Sequence, residues 1–191
     1  MKVTFVTPLT RPQNIKAIHK SIMESVTKDT EWYWIIVEDG DELLDAGDCL
    51  CTKYISYPSK DKGLSGNPQR NIALDHIDCD SYVYFLDDDN IVHPLLFSRT
   101  EKILKNSNKA LIFSQSFRNG FPRLIPQSDM IVPCHIDTAQ FLIPRDLIGD
   151  LRWEDWNYCA DGAFFSKLYS EHKDRFLILR EPLCYYNYLR K

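Results

Sequence analysis

Three consecutive aspartates, Asp87, Asp88 and Asp89, are the residues of this sequence with the clearest capacity for chemistry. They follow residues 82–86, a short apolar run without polar alternation that predicts a buried strand. Adjacent carboxylates repel one another, and a divalent cation would relieve that repulsion. In an extended chain Asp87 and Asp89 point to the same side, so these two would bind Mg²⁺ or Mn²⁺ together with a substrate phosphate. The alternative is a solvated turn that caps a helix starting near Pro94.

Strand-like and helical segments alternate along the first half of the sequence and would position these aspartates. The apolar patterns predict strands at residues 2–7, 32–37, 53–57 and 82–86, and helices at residues 12–26, 69–77 and 94–105. This order predicts βαβ crossovers, and therefore an α/β fold with a mainly parallel central sheet and helices on both faces. Ligands of such sheets bind beyond the carboxyl ends of the strands. The polar residues expected to converge there are Thr7, Pro8, Glu38, Asp39 and the three aspartates.

The second half of the sequence has less regular patterns. They predict strands at residues 109–115, 139–143 and 176–179, and a helix that starts at residue 155 or later and ends near residue 169. The chain of 191 residues carries no linker, repeat or low-complexity segment. We therefore expect one domain with a substantial core.

The composition argues against several classes of protein. The net charge of −4 argues against a general nucleic-acid-binding surface. The six cysteines are scattered without a CxxC pair, which favours free thiols in a reducing cytosol over disulfides or a zinc knuckle. The sequence shows no signal-peptide pattern and no apolar stretch long enough to span a bilayer. We therefore expect a cytoplasmic protein without a transmembrane segment.

The start of the helix near Asn67 is the expected site for phosphate. The sequence contains neither GxGxxG nor GxxxxGKS/T, which excludes a dinucleotide fingerprint and a P-loop. Asn67 would cap the helix with Pro68 in its first turn, leaving free N–H groups that bind anions. Arg70 lies in the same turn and would pair with a phosphate, or else form a surface salt bridge. Lys60 and Lys62, in the preceding loop, could fold over a nucleotide.

A hydroxyl nucleophile would need a general base, most simply a carboxylate. The second half offers four candidates, Asp137, Glu154, Asp155 and Asp161. Asp161 precedes Gly162 at a predicted helix start, where a tight backbone lets a carboxylate project into a cleft. We favour Asp161 for this reason, and its alternative role is the N-cap of that helix.

Four segments of the sequence together resemble the nucleotide-sugar glycosyltransferases of the GT-A fold. They are VTP at residues 6–8 with RP at 11–12, WIIVED at 34–39, QRNIAL at 69–74 and VYFLDDDN at 83–90. These segments look most like the glucuronyltransferases of animal proteoglycan synthesis, and their order matches the small inverting transferases of bacteria and viruses. The resemblance is good from residue 3 to about residue 100. It implies one GT-A domain over residues 1–191, with a nucleotide-binding half at 1–100 and an acceptor half at 101–191.

The resemblance also implies a role for each site residue. These roles are a nucleoside pocket for Thr7 and Pro8, uracil binding for Asp39, nucleotide or phosphate binding for Arg70, ribose or sugar binding for Asp87, donor-sugar binding for Asp88, Mn²⁺ binding for Asp89 and acceptor activation for Asp161. Asp39 would also form a turn with Gly40, which is compatible with uracil binding. The glucuronyltransferases place a glutamate where this sequence has Asp161, so their donor sugar and acceptor do not transfer to this chain.

The function implied by the resemblance is metal-dependent transfer of a sugar from a UDP-sugar to a hydroxyl of a glycan or glycoconjugate, as in polysaccharide biosynthesis. The cofactor would be Mn²⁺ or Mg²⁺. A carboxylate base acting opposite the leaving group would invert the anomeric configuration, although one carboxylate leaves a retaining mechanism open. Two other functions also stay open: a nucleotidyltransferase, and a non-catalytic module that binds nucleotide sugars or glycans.

Overall fold

The structure, a computed structural model, describes residues 1–40, 52–58, 65–105, 107–154 and 159–190. The strands in these residues are β1 (Lys2–Leu9), β2 (Glu31–Glu38), β3 (Thr52–Ser56), β4 (Tyr82–Phe85), β5 (Ala110–Ser116), β6 (Pro122–Leu124), β7 (Phe141–Pro144) and β8 (Phe176–Tyr185). The α-helices are α1 (Ile15–Ser25), α2 (Asn67–Leu74), α3 (Leu96–Leu104), α4 (Arg145–Ile148) and α5 (Ala160–Glu171). The longest of these helices has 12 residues, and none in the described ranges is both long and apolar enough to cross a membrane.

The strands of the described residues form one sheet in the order β3-β2-β1-β4-β7-β5-β6, with β8 beside β5. Neighbours among β3, β2, β1 and β4 are parallel. Strand β7 runs antiparallel between β4 and β5, so β5 again runs in the direction of β1. Strand β8 is parallel to β5, and the short β6 is antiparallel to it. The predicted α/β fold with a mainly parallel sheet is confirmed.

The two faces of the sheet bury separate apolar layers. Phe5 and Tyr84 belong to the layer that includes side chains of α1 and α3. Val6 and Phe85 belong to the layer that includes side chains of α2 and α5. All four are fully buried, as expected for parallel strands covered by helices on both faces. Because β1 and β4 are packed on both sides, their carboxyl ends form a rigid base for the residues that follow them.

The boundaries of several elements differ from the sequence-based expectation. Helix α2 contains Asn67 as its first residue, and Gly66 is the N-cap instead, with a left-handed φ of 79°. Strand β7 starts only at Phe141, because the residues before it form a 3-10 helix, Thr138–Gln140. Strand β8 continues to Tyr185 rather than ending near residue 179, since its pairing with β5 resumes after two shifts of register. These differences arise from tertiary pairing, which local apolar patterns do not encode.

Candidate active site

A pocket of about 610 Å³ lies at the carboxyl ends of β1, β2 and β4. Its charged lining combines six aspartates and four arginines of the described residues: Asp39, Asp87, Asp88, Asp89, Asp137, Asp161, Arg11, Arg70, Arg123 and Arg190. Strand ends that the sequence predicted to converge therefore meet at one cavity, together with Asp161 from the second half of the chain. The excess of carboxylates over guanidiniums leaves this lining negatively charged.

The acidic residues after β4 form a turn, which corrects the expectation of an extended segment. The backbone N–H of Asn90 donates to the carbonyl of Asp87 at 3.0 Å. Side chains in a turn do not alternate as in a strand, so Asp87 and Asp89 are not placed side by side by strand geometry. Each of the three carboxylates has its own set of partners instead.

Asp88 fastens the segment after β1 to this turn, which we call the acidic turn, residues 87–90. Its Oδ2 accepts hydrogen bonds from the backbone N–H groups of Thr10 at 2.6 Å and Arg11 at 2.7 Å, and from the Thr10 hydroxyl at 2.9 Å. Its Oδ1 accepts from Arg11 Nη1 at 2.5 Å. The residue is 3% exposed. These contacts give Asp88 a positioning role in the structure, and its contact with a donor sugar stays a prediction.

Asp89 is a buried carboxylate with two guanidiniums close to it. It is 7% exposed, and burial together with the charge of Asp87 raises its pKa. Arg190 Nε lies 3.2 Å from its Oδ2, and Arg11 Nη1 lies 3.9 Å away. The backbone N–H of Leu189 donates to the Asp89 carbonyl at 2.8 Å. The C-terminal segment therefore covers the acidic turn, a contact that no sequence pattern predicted.

Asp87 pairs with Arg70 across the pocket mouth. Arg70 Nη2 donates to Asp87 Oδ1 at 2.5 Å, while its Nη1 donates to the Ser65 carbonyl at 2.8 Å and to Asn67 Oδ1 at 3.0 Å. The Arg70 guanidinium also lies over the Trp153 ring, 4.8 Å from its centroid. The Arg70 side chain is only 5% exposed, so the salt bridge that the sequence left open as an alternative forms, but largely buried rather than on the surface. A phosphate contact for Arg70 stays a prediction.

Asp161 lies in the first turn of α5 and lines the pocket. Its Oδ1 accepts the backbone N–H of Gly162 at 2.7 Å. Burial raises the pKa of Asp161 to about 6, with the charges of Asp137 and Asp87 acting in the same direction and Arg70 in the opposite one. A carboxylate with this pKa is ionised at neutral pH and accepts a proton more readily than an ordinary aspartate.

The other candidates for a general base are placed less well. Asp137 lines the pocket, but its Oδ2 is 3.2 Å from Arg123 Nη1 and its Oδ1 accepts the N–H of Ala139 at the start of the 3-10 helix. Glu154 is exposed and does not line the pocket. Asp155 lies outside the described residues, as do Lys60 and Lys62.

The predicted nucleoside contacts divide between two environments. Pro8 and Asp39 line the pocket, and Asp39 is exposed. Thr7 is fully buried, and its hydroxyl accepts a hydrogen bond from Trp34 Nε1 at 2.9 Å. Thr7 is therefore a packing residue, which corrects the expectation that its side chain lines the pocket. The alternation of side chains along β1 turns Thr7 towards the core and leaves Pro8 at the cavity.

A divalent cation fits the chemistry of this lining. Carboxylate oxygens are the ligands that Mg²⁺ and Mn²⁺ prefer, and the six carboxylates outnumber the guanidiniums around them. The described residues hold no cluster of three or more ligating side chains. Magnesium sites in phosphate-binding proteins need only one or two carboxylates, because the substrate phosphates complete the shell. Asp89 would supply the protein's share.

Solved structures with the same architecture are known. The chain matches residues 1–349 of TarS from S. aureus with a TM-score of 0.75 at 18% identity, covering 97% of this chain and 60% of that one. It matches the mannosyltransferase PcManGT from Pyrobaculum calidifontis, in complex with GDP-Man and Mn²⁺, with a TM-score of 0.66 at 12% identity over 97% and 56% of the two chains. For glucosyl-3-phosphoglycerate synthase from Mycobacterium tuberculosis the TM-score is 0.60 at 13% identity, over 96% and 71%.

These likenesses show that the protein has the GT-A fold of nucleotide-sugar glycosyltransferases. The chain spans about 60% of the length of the TarS structure that it matches. That TarS segment has also been solved in complex with UDP and with UDP-GlcNAc. No protein-family model and no curated protein sequence matches this chain.

Proposed function

We propose that this protein is a metal-dependent glycosyltransferase that moves a sugar from a UDP-sugar to a hydroxyl group of a glycan or glycoconjugate, as in polysaccharide biosynthesis. The observation that carries the proposal is the pocket in which the acidic turn, the start of α2 and Asp161 meet. The fold supports it, since structural neighbours have been solved with UDP, UDP-GlcNAc and GDP-Man.

The nucleotide would lie on the β1–β2 side of the pocket. Pro8 offers an apolar surface for the base, and the exposed carboxylate of Asp39 accepts a hydrogen bond from a uracil N–H. The diphosphate would face the start of α2, whose first-turn N–H groups and Arg70 supply positive potential. Asp89 would hold the Mn²⁺ or Mg²⁺, and Asp87 would contact the ribose or the sugar. When bound, the ion supplies charge that stabilises the diphosphate leaving group.

Asp161 would act on the acceptor. Its carboxylate lies on α5, whereas the residues proposed to hold the nucleotide lie at the ends of β1, β2 and β4 and at the start of α2. A pKa of about 6 keeps it unprotonated at neutral pH, so it takes the proton of the acceptor hydroxyl as the oxygen attacks the anomeric carbon. Attack from the face opposite the leaving diphosphate inverts the configuration.

The acceptor would approach along a second cleft of about 660 Å³ that opens beside the pocket. Tyr186, Asn187 and Arg190 line both cavities, so the two are adjacent. Phe117 is 41% exposed on this cleft, and Arg118 lies 5.0 Å over the Tyr188 ring. Aromatic rings pack well against the CH face of a sugar, so the lining favours a glycan acceptor over a small alcohol.

We also propose that the protein is cytoplasmic. The free thiols of the described cysteines support this location, because thiols stay reduced in the cytosol.

A panel of ligands measured by thermal shift tests the proposal. UDP, UDP-GlcNAc, UDP-glucose, UDP-glucuronic acid, GDP-mannose and UTP are compared with and without Mn²⁺, because a ligand raises the melting temperature in proportion to the logarithm of its excess over Kd. UDP release from the tightest donor is then followed by a coupled assay. We expect a Mn²⁺-dependent shift with a UDP-sugar and slow release of UDP. Release of pyrophosphate from UTP would favour a nucleotidyltransferase instead, and binding without release a non-catalytic module.

A further inference from the structure

Two thiols lie against each other at the rim of the pocket, and the proposed transfer reaction uses neither of them. The Sγ atoms of Cys134 and Cys159 are 3.6 Å apart, within reach of a weak S–H···S hydrogen bond. Both residues line the pocket. Cys134 is exposed and Cys159 is half-buried, so a small reagent reaches the pair from solvent.

The backbone holds these two thiols together. Cys134 has a left-handed φ of 69°, a conformation that residues with side chains rarely adopt. Cys159 is the N-cap of α5, two positions before Asp161. A Cβ placed on Gly162 would lie 2.4 Å from the Cα of Pro133, so the backbones of α5 and of the segment before Cys134 are in direct contact. The pair is therefore aligned by packing and not by chance proximity of two mobile side chains.

The remaining cysteines that the structure describes are in different situations. Cys184 is fully buried, and its Sγ is 3.6 Å from the Ser114 carbonyl. Cys79 is exposed, in the turn between α2 and β4. Within the described ranges, Cys134 and Cys159 are the two thiols in contact. Cys49 and Cys51 lie outside those ranges.

We propose that Cys134 and Cys159 are a modification site that closes to a reversible disulfide and slows the transfer step without blocking nucleotide binding. The oxidant is a small-molecule disulfide such as oxidised glutathione. The Cys134 thiolate attacks one sulfur of the reagent and expels the other half as a thiolate. The Cys159 sulfur then attacks the sulfur of Cys134 and expels the second half. The two thiols lose two electrons and two protons, and the reagent leaves as two thiols.

The order of the two attacks follows from the environment of the pair. The hydrogen bond with Cys134, followed by the charge of that sulfur, raises the pKa of Cys159. The raised pKa of Cys159 makes it the poorer first nucleophile. Cys134 is also the more exposed of the two, which suits the first contact with a reagent from solvent.

Closure would act on Asp161 through the start of α5. The sulfur atoms must approach from 3.6 Å to about 2.05 Å. Because Gly162 already contacts Pro133, the two backbones have no room to move directly together. The approach then draws on rotation of the two side chains and of the first turn of α5, which carries Asp161. The residues proposed to hold the nucleotide and the metal lie on other elements, so their binding is left intact. This effect on the rate rests on the proposed function, whereas formation of the disulfide does not.

Peptide mapping of the full chain tests the linkage. The protein is incubated with oxidised glutathione, the remaining thiols are alkylated, and the digest is analysed by mass spectrometry with and without dithiothreitol. We expect a peptide pair joined through Cys134 and Cys159 that dithiothreitol separates. The joined pair should persist in Cys79→Ser and be absent in Cys134→Ser and Cys159→Ser. Stable glutathione adducts on Cys134 without the joined pair would overturn the proposal.

Turnover of the same samples tests the consequence. Relative to the reduced form, the fully linked protein should release UDP at least fivefold more slowly, with an unchanged thermal shift by UDP and Mn²⁺. The loss should reverse with dithiothreitol and be absent in Cys159→Ser. An unchanged rate in fully linked protein would overturn the rate effect. Failure of the proposed function is seen separately, as the lack of UDP release by the reduced form, while the mapping still decides whether the disulfide forms.

Discussion

Arg70 Nη2 and Asp87 Oδ1 are 2.5 Å apart, and this ion pair joins the first turn of α2 to the acidic turn. The start of α2 is the segment proposed to bind a phosphate, and the acidic turn is the segment proposed to bind a metal. The pair therefore holds the Arg70 and Asp87 side chains in fixed directions within the pocket lining. Its carboxylate side remains partly open, since the Asp87 side chain is 32% exposed.

Asp87→Asn should destabilise the protein through its partner. The substitution leaves the Arg70 guanidinium largely buried and opposite a neutral amide. We expect a loss of about 2–3 kcal/mol in the free energy of unfolding, less than for a fully buried pair because Asp87 is partly exposed. Chemical denaturation measures it. Asp75→Asn is the control, since Asp75 pairs with Arg152 at 2.7 Å on the surface and should change stability by less than about 1 kcal/mol. Equal losses in the two variants would contradict the structural role of the pair.

Asp161→Asn should retain UDP binding and lose transfer by about 10²- to 10⁴-fold, the usual contribution of a general base. In the wild type, transfer should fall as the pH drops through about 6, where Asp161 takes up a proton.

The same substitution should change stability. The pKa of Asp161 is raised in the folded state, so the charged form of Asp161 costs stability above pH 6. Asp161→Asn should accordingly melt at a higher temperature than the wild type at pH 7, with the difference vanishing near pH 4. Rates across pH and melting curves provide the measurements.

The matched control for this prediction is Glu154→Gln. Glu154 is exposed and lies outside the pocket lining, so replacing its carboxylate by an amide should leave the rate and the pH profile unchanged. Full transfer by Asp161→Asn would move the role of base to Asp137, which lines the same pocket.

Asp89→Ala should abolish Mn²⁺-dependent binding of UDP, and EDTA should have the same effect on the wild type. Arg190→Gln should strengthen Mn²⁺ binding, because it removes the guanidinium 3.2 Å from the Asp89 carboxylate. The Arg190 side chain is 56% exposed, and solvent limits such a pair to about 1 kcal/mol, so Mn²⁺ should bind up to about fivefold more tightly to Arg190→Gln. Titration calorimetry with Mn²⁺ in the presence of UDP compares the variants. Undiminished turnover in EDTA would refute the metal assignment.

Asp88→Asn should loosen the segment after β1. Asparagine keeps one acceptor oxygen, but its NH₂ group would face N–H donors that point at a carboxylate in the wild type. We expect a loss of about 1–2 kcal/mol, since the partly buried N–H groups of Thr10 and Arg11 lose their charged partner. The melting temperature and the affinity for UDP should fall together. Asp80→Asn, in the exposed pair with Lys2, is the control and should leave both nearly unchanged. A stable Asp88→Asn with weakened sugar-donor binding would favour the direct sugar contact instead.

Gly66→Ala should cost more than Gly120→Ala. Both glycines have a left-handed φ, 79° and 84°, which costs an alanine about 1–2 kcal/mol. A Cβ at Gly66 would in addition lie 2.5 Å from the Cβ of Pro8, whereas a Cβ at Gly120 meets nothing within 4 Å. Chemical denaturation gives the free energy of unfolding of both variants, and the difference between them is the cost of the clash with Pro8. Equal losses of stability in the two variants would show that the Pro8 ring moves aside at no cost in free energy.

The strands around the site were predictable, because buried parallel strands appear in the sequence as short apolar runs. The run before Asp87 became β4, and the run before Pro8 became β1, as expected. The meeting of their carboxyl ends followed from the alternation of strands and helices. Asp161 was likewise expected at a helix start, and the structure places it in the first turn of α5.

What could not be predicted depends on contacts between distant segments. Arg190 reaches Asp89 only because the chain after β8 folds back over the acidic turn. Asp88 binds the segment after β1 because the acidic residues form a turn, and strand alternation gave the wrong geometry for them. Thr7 was misplaced for a simpler reason: its hydroxyl has a partner in the core, Trp34, that no local pattern reveals.

The contact between Pro8 and Gly66 also has an evolutionary consequence. The two positions lie on segments that are remote in sequence, yet the space at one is defined by the ring at the other. A lineage can replace Gly66 only if the ring at position 8 is lost as well and the backbone at 66 relaxes from its left-handed conformation. In a family alignment, the two positions should therefore be inherited as a pair.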